Sequence, residues 1–317
     1  MKAIVIYEPG GPEKLIYTDM PVPEVKPGWS LVRIMARGIN HSEIFTRNGL
    51  SPTVQFPRIL GIECAGIVET TTDAERLPEG SKAISIMGEM GRAFDGSYAE
   101  YALLPNEQIY PVETELPWEL LAAIPETYYT AYGSMKNLKI CSSDRILVRG
   151  ATSGVGVAFL RLLRAGNPDI YIAGTSRNLR KAQTLLDEGF DEVIEDRDGI
   201  VQTDKTFDKV LELIGPATLK DTFTHVSECG IVCSTGQLGG EWYLNDFDPI
   251  FDLPANGYLT SFYSGNVDRN RLQEMLDYIE TFNVYVKPEK VFSLSEMREA
   301  HALLDSSKSF GKVVVID

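Results

Sequence analysis

Residues 144–181, DRILVRGATSGVGVAFLRLLRAGNPDIYIAGTSRNLRK, carry the side chains and spacing best suited to chemistry in this chain. The short turn Gly150-Ala151-Thr152-Ser153-Gly154-Val155-Gly156 is rich in glycine. Glycine lets a backbone bend sharply and approach a pyrophosphate, and a following helix offers free N–H groups and a positive dipole end. An apolar run of strand length, Ile146-Leu147-Val148, precedes the turn. Val157, Ala158, Leu160, Leu162 and Leu163 follow it at helical spacing, with Arg161 and Arg164 opposite. Gly166-Asn167-Pro168 stops that helix, and Ile170 to Ala173 reads as the next strand. The glycines alone fit a purely structural strand–helix turn equally well. The surrounding strand, helix and strand have the length of half a dinucleotide-binding βαβ fold, and that context favours a nucleotide.

The end of the second strand selects the cofactor. An NAD site would place Asp or Glu about 20 residues past the turn, on the ribose 2′-hydroxyl. That position holds Ser176, between Thr175 and Arg177, with Arg180 and Lys181 close behind. Hydroxyls and cations there suit a 2′-phosphate, so NADPH is expected rather than NADH. Arg177, Arg180 and Lys181 also fit a solvated helix face.

The elements that must position these residues alternate between strand and helix from about Trp118 onward. After a helix to Glu188 come strands at Glu192–Glu195, Phe207–Ile214, Gly230–Gly236 and Tyr258–Tyr263, with a helix at Ala217–Val226. This is the pattern of an α/β, doubly wound parallel sheet, where ligands lie at the carboxyl ends of strands. The Gly150–Gly156 turn, Ser176, Arg177, Leu213 to Gly215 including Ile214, and Ser234-Thr235-Gly236 then share one edge. Residues 1 to about 117 read differently. Strands at Ala3–Tyr7, Ser30–Ala36, Ile59–Glu69, Ser81–Met87 and Ser97–Leu103 are separated by Gly and Pro, which predicts a β-rich, partly open barrel. A loop at Gly38–Glu43 leads into a short helix. Asp268–Phe282 is amphipathic, with Leu272, Met275, Leu276 and Ile279 inward. Ser295 is the expected cap of a helix to Leu304. Gly311–Val315 is a closing strand that returns to the first domain, so the dinucleotide domain, 118–283, is inserted into a domain of 1–117 plus 284–317.

Composition narrows the function. At 317 residues, 44% apolar and 24% charged, the chain is that of an ordinary globular protein of two domains. A net charge of −15 argues against nucleic acid as a partner. Cys64, Cys141, Cys229 and Cys233 show no metal spacing and are expected to be buried free thiols, with Cys229 and Cys233 on one face of a strand. Neither a membrane span nor a signal peptide is apparent, and the expected location is a reducing cytoplasm.

Taken together, the chain resembles the medium-chain dehydrogenase/reductase superfamily, in particular its zinc-free quinone oxidoreductase branch. The resemblance rests on the opening MKAIVI, GIN-x-S-x-I at 38–44, P-x-I-L-G-I-E-x-A-G at 57–66, GSYAEY at 96–101, TAY at 130–132, the ATSGVG turn and the closing GKVVV. It implies a Rossmann domain inserted into a GroES-like domain. It places Asn40 and Thr130 beside nicotinamide and substrate as catalytic residues, and implies NADPH held by Ala151 to Gly156, Thr175, Ser176, Arg177, Lys181, Arg197, Ile214, Ser234 to Gly236 and Lys312. Zinc-binding members carry Cys where Asn40 stands and His where Ile62 stands. The four-cysteine structural zinc loop is also missing, because residues 87–95 contain no cysteine. No metal is therefore expected, since Ile62 has no lone pair to give.

A metal-free site implies acceptors that delocalise negative charge, namely quinones or α,β-unsaturated carbonyls. Asn40 has donors suited to a carbonyl oxygen, and equally fits a loop residue bonding its own backbone. Thr130 equally fits a helix hydroxyl bonding back to a carbonyl. Related enoyl reductases carry a Tyr proton donor where Leu50-Ser51-Pro52 stands. Relatives often carry a Tyr where Glu195-Asp196-Arg197 stands, and here Asp196 would repel a phosphate unless Arg197 compensates. Two alternatives stay open: a low-turnover NADPH sensor or scaffold, and a zinc alcohol dehydrogenase with displaced ligands. Residues 257–265, GYLTSFYSG, read as an exposed edge strand, and a homodimer is expected through it. Tyr128, Tyr243, Phe247 and Phe251 could line an apolar pocket or fill the core.

Overall fold

The computed structural model describes residues 1–306 and 308–317. The chain forms two compact units: 1–126 with 265–269 and 286–317, and 127–264 with 270–285. The first boundary lies beyond the expected residue 117. The helix Trp118–Leu121 belongs with the first unit because it packs on its strands Trp29–Ile39, Glu63–Thr70 and Val313–Ile316.

The first unit holds two sheets. In the larger, the order is Lys290–Ser293, Val313–Ile316, Trp29–Ile39, Glu63–Thr70, Lys82–Ile86 and Tyr110–Pro111, with Tyr101–Pro105 also pairing Trp29–Ile39. The smaller joins Ile16–Asp19, Lys2–Ile6 and Arg58–Ile59. Apolar runs drive this packing: Ala3 to Ile6 are all buried, and Ile4, Ile6, Ile59, Leu60, Phe292, Met297 and Val315 share one core with Tyr98. The expected strand Ile59–Glu69 is two strands, because Leu60–Ile62 leaves the sheet and its carbonyls accept from Tyr98, Ser97 and Met87. Ser97–Leu103 shifts to Tyr101–Pro105. The closing strand returns as expected, with Val313 opposite Ile39. Ser295 is not the cap: Ser293 caps a 3-10 turn, Leu294–Glu296, that leads into the last helix, Met297–Asp305. Ser293 and Glu296 form a reciprocal capping box, with Ser293 N donating to Glu296 at 2.8 Å.

The second unit is a seven-stranded sheet in the order Ile200–Val201, Glu192–Arg197, Tyr171–Ser176, Arg145–Arg149, Phe207–Glu212, Val226–Ser234 and Tyr258–Ser261. All neighbours are parallel except the short Ile200–Val201 strand. The chain order reverses beside Arg145–Arg149, which is the switch point where such sheets bind ligands. Strands buried on both faces need continuous apolar runs, and Ile146, Leu147 and Val148 are fully buried. Cys64 and Cys233 are buried, but Cys141 and Cys229 are exposed. Cys229 sits at φ 62, and the register of its strand shifts against Phe207–Glu212, so it does not share a core face with Cys233. Leu276 is only half-buried, unlike Leu272, Met275 and Ile279. Among the described residues no helix is long and apolar enough to cross a membrane.

Candidate active site

In the second unit the glycine turn closes the Arg145–Arg149 strand and opens the helix Gly154–Gly166. Gly150 adopts φ 86, a conformation that side chains resist. Its N–H donates to Thr175 Oγ1 at 3.2 Å, which ties the turn to the next strand. Ser153 caps the helix by accepting from Gly156 N at 3.1 Å. Ala151 and Gly156 are buried, whereas Thr152, Gly154 and Val155 are half-exposed.

The second strand ends as expected, without an acid. Ser176 Oγ is held in a local turn, donating to Asn178 O at 3.1 Å and accepting from Asn178 N at 3.2 Å. Arg177 and Arg180 are exposed and Lys181 is half-buried. Neither Arg177 nor Arg180 has an ion-pair partner among the described residues. The guanidinium groups are thus open to an anion, and this end of the strand fits a 2′-phosphate.

Two expectations for the neighbouring strand need correction. Asp196 faces inward, where its carboxylate accepts from Arg149 Nε at 2.8 Å and cannot present a bare charge to a phosphate. Arg197 is exposed and paired with Glu195, so it is not the partner of Asp196.

Sequence reasoning passed over the centre of this unit. Arg149 is fully buried, with Asp196, Asp221 and Glu212 around it at 2.8, 2.9 and 3.9 Å. Glu212 Oε1 accepts from Ile214 N at 2.7 Å and Gly215 N at 3.1 Å, and Oε2 accepts from Thr222. The carboxylate therefore shapes the 213–215 turn that carries Ile214. Burial pushes the Glu212 carboxyl upward despite Arg149. A charged residue inside each apolar run, VLELI and ILVRG, was the available signal. Thr235 Oγ1 meets Ser134 Oγ at 2.9 Å and Cys233 Sγ at 3.3 Å. Ser134 Oγ also donates to Thr130 O at 2.8 Å, and Thr130 is buried in the helix Pro125–Leu138. Tyr128 is core, Phe247 packs on Phe223, and Tyr243 and Phe251 are 78% and 85% exposed.

In the first unit Asn40 lies just before the helix His41–Arg47. Its side chain bonds neither its own backbone nor open space. Nδ2 donates to Glu63 Oε1 at 2.8 Å and more weakly to Glu43 Oε1 at 3.4 Å. Oδ1 accepts from Lys312 Nζ at 2.6 Å. Lys312, expected among the cofactor contacts, has its ammonium held by Asn40 and Glu63. Glu63 Oε2 accepts from Glu126 N at 2.7 Å, so this carboxylate is fully satisfied. Glu43 is wholly buried, and burial pushes its carboxyl up to about 7, with Lys312 opposing and Glu63 adding to the shift. Glu43 Oε2 has no hydrogen-bond partner. Burial also holds the neighbouring His41 below its usual range.

This donor set does not fit zinc. Ile62 is apolar, and the amide of Asn40 is engaged by an ammonium and two carboxylates. No three His, Cys, Asp or Glu side chains come together as metal ligands among the described residues.

Two family models match: a GroES-like alcohol dehydrogenase domain at residues 26–114 and a zinc-binding dehydrogenase domain at 188–315. The human quinone oxidoreductase is 29% identical over 75% of this chain and 74% of its own. A probable quinone oxidoreductase of Schizosaccharomyces pombe is 24% identical over 93% and 91%. A solved structure described as an NAD-dependent alcohol dehydrogenase superposes with a TM-score of 0.83 at 25% identity, covering both chains fully. With its Rossmann and GroES-like units, the chain belongs to the medium-chain dehydrogenase/reductase superfamily.

Proposed function

We propose that this protein is an NADPH-dependent oxidoreductase that delivers hydride to a quinone or an α,β-unsaturated carbonyl without help from a metal. The observation that carries the reading is the Asn40 cluster. Asn40, at a position where the resemblance puts a zinc ligand, is engaged by a lysine ammonium and two carboxylates instead, and Glu63 also holds that ammonium. The relatives named quinone oxidoreductase support the acceptor class.

Bound NADPH would supply the hydride. The residues of the glycine turn, Thr175, Ser176 and Arg177 would hold it, with the exposed guanidinium of Arg177 on the 2′-phosphate. Asn40 and Lys312 orient each other, and Lys312 keeps a positive charge beside the position where the acceptor's oxygen gains electron density. Glu63 anchors that ammonium. Burial raises the Glu43 carboxyl to about 7, which favours its protonated form beside this cluster. Thr130, in the second unit, would contact the nicotinamide of the bound cofactor.

One observation favours a second reading, a nucleotide-binding protein of low turnover: both amide hydrogens of Asn40 already point to carboxylates. Anaerobic incubation with NADPH or NADH and a panel of quinones and enones separates the two. Loss of nicotinamide absorbance with NADPH, slowed by Asn40→Ala and by Arg177→Gln in different ways, supports the reductase. Tight NADPH binding without turnover of any acceptor supports the sensor.

A further inference from the structure

The turn after the strand Lys82–Ile86 brings an arginine to the same end of the first unit as Asn40. Ile86 pairs with Glu63, and Met87 N donates to Ile62 O at 2.6 Å. Met87, Gly88, Glu89 and Gly91 all take positive φ. Gly91 lies on the Leu60–Gly61 backbone, where a Cβ would come 2.8 Å from Gly61 N and O, so the turn tolerates no side chain there. Arg92 follows at once. Its Nη2 donates to Ser42 Oγ at 2.6 Å, two residues past Asn40, and its Nε is buried without a partner.

The other inward arginines of this unit, Arg37, Arg47, Arg58 and Arg76, each rest on an aspartate. Arg92 is partly buried and has no carboxylate within ion-pair distance among the described residues. Supply is not the reason, since acids outnumber bases 45 to 30. The nearby Glu63 is already held by Lys312 and Asn40. A half-buried guanidinium without a counter-charge is costly unless a ligand brings one.

We propose that Arg92 and Ser42 form a carboxylate-binding subsite, so that the acceptor carries a carboxylate in addition to its conjugated carbonyl. The planar guanidinium offers parallel N–H groups that match the two oxygens of a carboxylate. Nη1 has no hydrogen-bond partner among the described residues. Ser42 accepts from Nη2, which leaves its own hydrogen to donate. The inference rests on the reductase reading for turnover but not for binding.

The test compares wild type, Arg92→Gln and Arg92→Lys on (E)-4-oxo-4-phenylbut-2-enoate and its methyl ester. The saturated acid 4-oxo-4-phenylbutanoate serves as an unreactive probe, followed by calorimetry with and without NADPH. Wild type is expected to reduce the acid with a kcat/KM about tenfold above the ester, the scale of one charge-assisted hydrogen-bond pair. Arg92→Gln removes the preference by raising KM for the acid and leaves the ester within about twofold, with Arg92→Lys between. The saturated acid binds wild type and loses about tenfold in affinity with Arg92→Gln. Equal wild-type efficiency on acid and ester, or equal slowing of both by Arg92→Gln, overturns the subsite. Arg92-dependent binding of the saturated acid with no turnover of either acceptor upholds the subsite and overturns the reductase reading. Neither binding nor turnover overturns the subsite.

Discussion

Lys312 Nζ donates to Asn40 Oδ1 at 2.6 Å, and the same ammonium rests on Glu63, which accepts from Asn40 at 2.8 Å. The three side chains form a closed triangle in which Glu63 and Lys312 are buried and Asn40 is half-buried. Removing one charge strands the other. Lys312→Met is expected to cost about 3–5 kcal/mol of unfolding free energy, as for other broken buried pairs. Adding Glu63→Gln should recover most of that loss. A denaturant double-mutant cycle measures the coupling, and additive losses would show that the pair is not linked.

Arg149 makes a similar prediction with a larger imbalance. Its guanidinium faces Asp196, Asp221 and Glu212, and it also donates to Thr218 O at 3.0 Å and to Gly199 O at 2.7 Å. Arg149→Met leaves three inward carboxylates without a cation. The variant is expected to lose at least about 3–5 kcal/mol or to fail to fold near neutral pH. Asp196→Asn should be far milder, and thermal melts of the two variants decide the point.

Stability against pH should carry two opposed slopes. Arg47 Nη1 can only donate to His301 Nδ1, at 3.2 Å, so Nε2 holds the hydrogen and donates to Tyr98 at 3.0 Å. Burial first and Arg47 second push His301 down to about 3 from 6.5. Its stabilising contribution is complete above pH 6.5 and is lost as pH falls toward 3. Glu43, raised from 4.5 to about 7, does the reverse: its contribution is complete below pH 4.5 and is lost as pH rises through 7. Between pH 4.5 and 6.5 the slopes oppose, each up to about 1.4 kcal/mol per pH unit. Urea unfolding of Glu43→Gln should expose an acid-side loss, and His301→Asn a loss toward neutral pH. Parallel curves for wild type and both variants would refute the assignment.

A homodimer through the strand Tyr258–Ser261 is proposed from its place at the end of the sheet. Tyr258, Tyr263, Ile250 and Phe251 are all strongly exposed. Such an edge pairs readily with its own copy. Light scattering should give twice the chain mass of 35.2 kDa, and Leu259→Pro should return the protein to that mass. A wild-type species at the chain mass would end the idea.

Local signals carried much of the architecture. The change from an apolar run to helical spacing across Gly150–Gly156 located the strand–turn–helix, and the next strand ends at Ser176 with Arg177 after it. What stayed hidden depends on partners distant in the chain. Asn40 reads as a free donor until Lys312 arrives from the far end, 272 residues on. Asp196 reads as a charge beside a phosphate until Arg149 is seen to face it. Glu63 sits inside the segment P-x-I-L-G-I-E-x-A-G, yet periodicity cannot tell a buried carboxylate from a solvated one. Cys229 defeated alternation through a local change of register.

The return of Val313–Ile316 to the strand Trp29–Ile39 also bears on how the protein is made. During synthesis the inserted sheet leaves the ribosome whole and can fold at once. The flanking unit must wait for its last segment, and Lys312 comes with it. Until then Glu63 lacks the cation that holds it in the folded unit, so burying that carboxylate waits on the strand that brings Lys312.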